Sequence, residues 1–206
     1  MKVKATKVID LDKFFNVELN KKYPIISSAC AILGIVAGVI LQTINNSLES
    51  NIGEIFTEFY SINSSRSVPE IFLSSFAENI VLIAILMFFG FSCVGFAFVY
   101  VVPIFKGLGI GAVCSYIYSA YLFKGVAYCS LFVFPVAVIQ LFAIVLACNE
   151  SVQMSQDILQ LIRKNGNTET TIRTDLYVLR YAVITFVIAF SSIIYSIGVL
   201  IFFRFL

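Results

Sequence analysis

The residues that could do chemistry in this chain of 206 residues are few and far apart. Histidine is absent, which removes the commonest general base and the commonest metal ligand. No apolar segment carries a pair of carboxylates, and no cysteine or acidic spacing matches a metal site. Cys30, Cys93, Cys114, Cys129 and Cys148 each fall in or at the end of an apolar run, without a C-x-x-C pair. They read as small packing residues, with disulfide or thiol chemistry as the alternative. The stretch Phe105-Lys106-Gly107-Leu108-Gly109-Ile110-Gly111 is glycine-rich and follows Pro103. Such a turn at a helix start can hold an anion, but here no strand precedes it and no Lys-Ser/Thr follows. Tight turning and close helix packing are the reading it supports. Gln140 lies inside an apolar run, five residues after Pro135. It is expected to hydrogen bond between helices, near a backbone carbonyl that Pro135 frees, or to line a substrate path. Asn149 and Glu150 mark the polar end of the same run, and Glu78 and Asn79 the start of another. No enzymatic activity, cofactor or metal is expected from this set.

The elements that position these residues are apolar helices. Hydrophobic residues make up 60% of the chain and charged ones 13%. A soluble domain carries about a quarter charged residues, so lipid is the solvent that fits. Apolar runs predict five transmembrane helices, over 23–41, 80–102, 108–123, 126–148 and 179–203. Pro103 is expected to end the second, and the third is short for a full crossing. A basic leader covers 1–22, a loop 42–79, and a second loop 149–178. The long basic leader, the span-length apolar run and the absence of an A-x-A site after it argue against a cleaved signal peptide. In the first loop, Ile52, Ile55, Phe56, Phe59 and Tyr60 recur at helical spacing. Ser67 is expected to cap a new helix with Pro69 just inside it, running to Phe76. Glu150 to Lys164 keeps helical spacing, extending the fourth helix until Asn165-Gly166-Asn167 stops it. Gly34 and Gly38 stand four apart on the first span and invite close helix packing, within the chain or in a homo-oligomer. The whole reads as one all-α membrane domain.

Basic residues orient such a domain, because their excess stays on the cytoplasmic side. With five crossings and a cytoplasmic N-terminus, eleven of the fourteen fall on the cytoplasmic side, counting Lys106 in a turn. Arg66, Lys124 and Arg204 fall opposite. The acidic loop and the C-terminus are then expected outside, and a re-entrant third segment would break the contrast. A net charge of +2 gives no reason to expect nucleic-acid binding.

From Ser75 to Ser155 the chain resembles the stage II sporulation protein M family. The matching stretches are Phe76 to Asn79, the Phe105-Lys106-Gly107 turn with Gly111, Lys124-Gly125, and Pro135 in the fourth span. Many members of the broader family carry Pro-His-Gly and then a glutamate in that span. Here the stretch reads Pro135-Val136-Ala137-Val138-Ile139-Gln140, without the histidine and with glutamine at the glutamate position. The resemblance implies a cell-membrane protein of endospore formation. It implies an anchor for two peptidoglycan-degrading partners, stage II sporulation proteins D and P, during engulfment. An outward loop bearing Phe56, Phe59, Tyr60 and Phe72 is the expected contact for them, or else lies on the membrane surface. The alternative is the membrane subunit of a transporter, with a separate ATPase docking on Glu150 to Lys164.

Overall fold

The computed structural model describes residues 22–46, 67–92, 95–163 and 174–205. The leader, the segment carrying Phe56, Phe59 and Tyr60, Cys93, and the Asn165-Gly166-Asn167 stop lie outside the described residues. The elements are α1 (Lys22–Asn46), α2 (Val68–Gly90), α3 (Gly95–Phe98), α4 (Val101–Tyr128), a π turn (Cys129–Val133), α5 (Phe134–Arg163) and α6 (Thr174–Phe205). Five stretches are long and apolar enough to cross a membrane: Lys22–Ile44, Val68–Gly90, Gly95–Ser119, Gly125–Ile162 and Thr174–Ile201.

Two of these boundaries differ from the sequence expectation. The second span is Val68–Gly90, not 80–102. Its start is set by Ser67, whose N–H donates to Glu70 Oε2 at 3.0 Å in a capping box, with Pro69 in the first turn. The helix of 23 residues reaches about 34 Å, so it has crossed by Gly90. Phe72 therefore belongs to the span and stacks on Phe76 at 5.6 Å, rather than projecting from a loop. The chain reverses at Phe91 and Ser92, and the third span begins at Gly95, not at 108. Pro103 does not end the second span. It sits in the first turn of α4, where its missing N–H is an orphan in any case. Phe105, Lys106 and Gly107 are accordingly inside a helix and not in a turn. With α3 in front of it, the third segment has 25 residues, long and apolar enough for a full crossing. Its return to the fourth span is marked at Leu122, which has φ 47 and ψ −124, unusual for a residue with a side chain.

Pairing contacts fix the threading. The face at which α1 begins is called the near face here, and its opposite the distal face. α1 and α4 run parallel, with Gly34 against Ile104 and Gly38 against Leu108. α2 and α6 run antiparallel, with Ser196 bonded to the Val68 carbonyl and Tyr177 to that of Met87. α5 lies between these pairs and descends with α2, so Ser151 bonds the Leu86 carbonyl and Ser155 that of Ser92. Five alternating crossings leave the start of α1 and the end of α6 on opposite faces. The core lies toward the near face, where Leu86, Val99, Ile144, Val152, Tyr181 and Ile188 meet.

The α1–α4 contact depends on glycine. A β-carbon on Gly34 would overlap the Ile104 carbonyl oxygen, and one on Gly38 that of Leu108. From the other side, Gly107 and Gly111 meet the carbonyls of Ala31 and Ile35. The obstacles are backbone, so nothing can swing aside. Gly109 has nothing within 4 Å. Close backbone approach replaces the hydrophobic drive that lipid removes. Gly34→Ala and Gly107→Ala are each expected to lower stability by about 1–3 kcal/mol through overpacking. Gly109→Ala should be neutral or stabilising by up to about 1 kcal/mol from helix propensity. Equilibrium unfolding in mixed micelles checks the contrast, and equal effects at all three positions would contradict it.

Candidate functional site

Two polar groupings stand out in an otherwise apolar bundle. The first is a knot near the end of α2. A helix end leaves four carbonyls without intrahelical partners, and inside a bilayer water does not supply them. Here the protein does. Phe91 N–H donates to the Phe88 carbonyl and Ser92 N–H to that of Phe89. Tyr177 Oη donates to the Met87 carbonyl at 3.1 Å. Ser155 Oγ donates to the Ser92 carbonyl at 2.6 Å, and Cys148 Sγ to that of Val99 at 3.7 Å. Ser151 Oγ donates to the Leu86 carbonyl at 2.8 Å and shares a hydrogen bond with Tyr181 Oη, which donates to the Ala147 carbonyl at 3.0 Å. With one proton each, one of these two hydroxyls splits its hydrogen between acceptors. Tyr23 Oη, from the start of α1, donates to Gln156 Oε1 at 2.8 Å.

Glu150 belongs to this knot. Its Oε2 accepts from Arg180 Nη1 at 2.7 Å, with side chains 10% and 18% exposed respectively. Asn149 is 2% exposed and Glu150 8%. The expected solvated boundary is thus a buried ion pair, because α5 continues to Arg163 and α6 packs antiparallel along it. Sequence reasoning missed Tyr177, Tyr181, Ser151 and Ser155. The signal was available: two pairs of polar residues at i, i+4 spacing on helices that must face each other.

The second grouping is at mid-depth. Glu78 and Asn79 do not cap the second span; Glu78 is the eleventh of its 23 residues. Lys106 is the twelfth of 25 in the third span. The bonds of Ser151 to Leu86 and of Cys148 to Val99 tie both helices to α5. Counted from there, the two residues stand within about one helical turn of the same level. Among the described residues, Glu78 and Lys106 are not joined in a direct ion pair. Lys106 is half-buried while Glu78 is exposed. Asn79 is 1% exposed, its amide donating to the Ser75 carbonyl at 2.8 Å and its Oδ1 unpartnered. An acidic residue does therefore stand mid-span, contrary to the sequence reading, which took the polar pair for a boundary.

The remaining candidates separate. Gly34, Gly38, Gly107 and Gly111 come together as the α1–α4 contact. Phe105 is 66% exposed, facing away from the bundle. Pro135 follows the π turn, in which Phe134 N–H reaches back five residues to the Cys129 carbonyl. Pro135 has no N–H to give to the turn before it. Gln140, five residues further along α5, is buried at 6% exposure. Among the described residues no cluster of cysteine and acidic side chains could hold a metal.

The ion pair gives a sharp expectation. Glu150→Gln leaves Arg180 buried and uncompensated, and should lower stability by about 3–5 kcal/mol. Replacing both residues with methionine should restore most of that loss. Thermal unfolding in detergent of the single and double variants checks it; a double variant no better than the single would argue against the pair.

The polar positions so placed lie within a stretch with known kin. The profile of the family described as Stage II sporulation protein M matches residues 27–201. No curated protein and no solved structure matches the chain. A match over most of the chain, on a bundle of five apolar spans, settles its kinship: the chain belongs to the stage II sporulation protein M family.

Proposed function

We propose that the chain is a non-catalytic membrane scaffold that holds peptidoglycan-degrading partners at the septal membrane during engulfment. The observation that carries this reading is family membership over residues 27–201. The use of the polar side chains supports it. Ser151, Ser155, Tyr177, Tyr181, Glu150 and Arg180 are spent on fastening one helix to another. A bundle fastened in this way presents a fixed surface, which is what an anchor needs.

In this reading the near face is cytoplasmic and the distal face meets the wall. Lys106 and Arg180 now lie inside spans, and the basic residues of the sequence left on the near side still outnumber the three on the distal side. That asymmetry still favours the orientation. The distal connection between α1 and α2 is then the segment available to wall-side partners such as stage II sporulation proteins D and P. The membrane concerned is the cell membrane.

One observation favours a second reading, the membrane subunit of a transporter. Charged residues at mid-span depth commonly mark substrate or ion paths, and Glu78 and Lys106 are such residues. The two readings separate experimentally. In sporulating cells of the native organism, a scaffold carrying Glu78→Gln and Lys106→Gln together should still co-purify wall hydrolases and support engulfment at near wild-type levels. Retained hydrolase recruitment with engulfment lost would favour transport, as would recovery of an ATPase in place of hydrolases.

A further inference from the structure

A further set of polar side chains lies in the core that α2, α5 and α6 share. Ser75 and Asn79 of α2 are 8% and 1% exposed, Gln140 of α5 is 6% exposed, and Ser191 and Ser192 of α6 are wholly buried. Hydrogen bonds set their level. Ser151 bonds both the Leu86 carbonyl and the Tyr181 hydroxyl, so these three residues mark one height on the three helices. Counted from that height toward the distal face, Asn79 is seven residues away, Ser191 ten, and Ser75, Gln140 and Ser192 eleven each. At 1.5 Å per residue this is about 10 Å for Asn79 and about 15–17 Å for the other four, a spread of little more than one helical turn. On the distal side of the set, Ser196 bonds the Val68 carbonyl at 3.0 Å, so the register of α6 on α2 is fixed at both ends. α6 packs on α2, α5 and the π turn, and these cover its two serines.

Among the described residues, Asn79 Oδ1, Ser191 Oγ and Ser192 Oγ have no hydrogen-bond partner. All three are oxygens, held at a depth where bulk water does not reach them. The Asn79 amide nitrogen is committed to the Ser75 carbonyl at 2.8 Å, so the oxygen is what the side chain offers the core.

We propose that this layer binds one small monovalent cation, sodium, between α2, α5 and α6. The unpartnered donors are oxygen only, which suits a hard cation and not a metal that seeks thiolate or imidazole. None of the five side chains carries a formal charge, so the set cannot offset the far larger desolvation cost of a divalent ion. A serine hydroxyl that turns to donate to the carbonyl four residues back in its own helix still presents a lone pair to the ion. Ser75 and Gln140 supply further oxygens at the same level. Bound there, the ion gives the three orphaned oxygens a common partner and holds the three helices together. Such an ion serves a scaffold as a fastener and a transporter as a coupling ion.

The test uses the full chain in detergent, with thermal unfolding followed by circular dichroism in sodium, potassium or choline chloride at equal ionic strength. Sodium should raise Tm by several degrees over choline, saturably, because a ligand that binds only the folded state stabilises it by mass action. Potassium should raise it less. In Asn79→Leu, and in a Ser191→Ala, Ser192→Ala double variant, the sodium increment should vanish while Tm in choline chloride stays level or rises. Ser155→Ala, in the knot, should lower Tm and keep the increment. Radioactive sodium binding to the wild type, read by scintillation proximity, should saturate at one ion per chain and needs no variant to fold. The same Tm in all three salts, no saturable sodium binding, or an increment that survives in the Asn79 and serine variants overturns the proposal.

Discussion

Every part of this bundle answers to one constraint: a helix that ends among other helices must find partners for its last carbonyls without water. α2 ends at Gly90 beside α5 and α6. A β-carbon at Gly90 would overlap the Tyr177 hydroxyl and come within 3.2 Å of the Ser151 Cα. The glycine thus lets α5 and α6 close on the helix end, and Tyr177 and Ser155 then complete it. The same approach sets the level of α5 against α2, and through Cys148 and Val99 that of the third span. Once these levels are set, the depth of every other residue follows, including the mid-span charges.

Two kinds of helix contact result. α1 and α4 meet through glycine, backbone against backbone. α2, α5 and α6 meet through hydroxyls, a buried ion pair and the apolar core between them. The first depends on shape and tolerates no added carbon at four positions. The second depends on matched donors and acceptors and tolerates no lost partner. Both give specificity in a solvent that cannot distinguish leucine on a helix surface from leucine in a core.

Composition made the membrane class, the all-helical fold and the number of spans legible, because apolar length is the quantity lipid selects for. The Ser67 start and the small-residue contact at Gly34 and Gly38 were also readable, since both rest on local stereochemistry. What hydropathy concealed was register. Glu78 and Asn79 lower the local average and look like a boundary, but Asn79 bonds within its own helix and is buried. The true break after Gly90 lies in an uninterrupted apolar run, so nothing in the average marks it. Pro103 then looked like a terminator when it is a first-turn residue. The capping box and the helix length from Ser67 held the correction, because 23 residues from Val68 already exhaust the bilayer.

The mid-span charges bear most directly on what kind of membrane protein this is. Lysine or glutamate at the centre of a lipid-facing helix costs at least about 2.5 kcal/mol, so unpaired charges there would be selected against unless something offsets them. Glu78 and Lys106 stand on helices of the two different pairs, one from α2–α6 and one from α1–α4. They stand across the division that α5 spans, with Lys106 at the level of the glycine seam, between the Ile104 and Leu108 carbonyls that meet Gly34 and Gly38. No direct ion pair joins them among the described residues. In a scaffold, opposite charges so placed would favour one orientation of the two pairs; in a transporter, a competing ion would have to displace that preference.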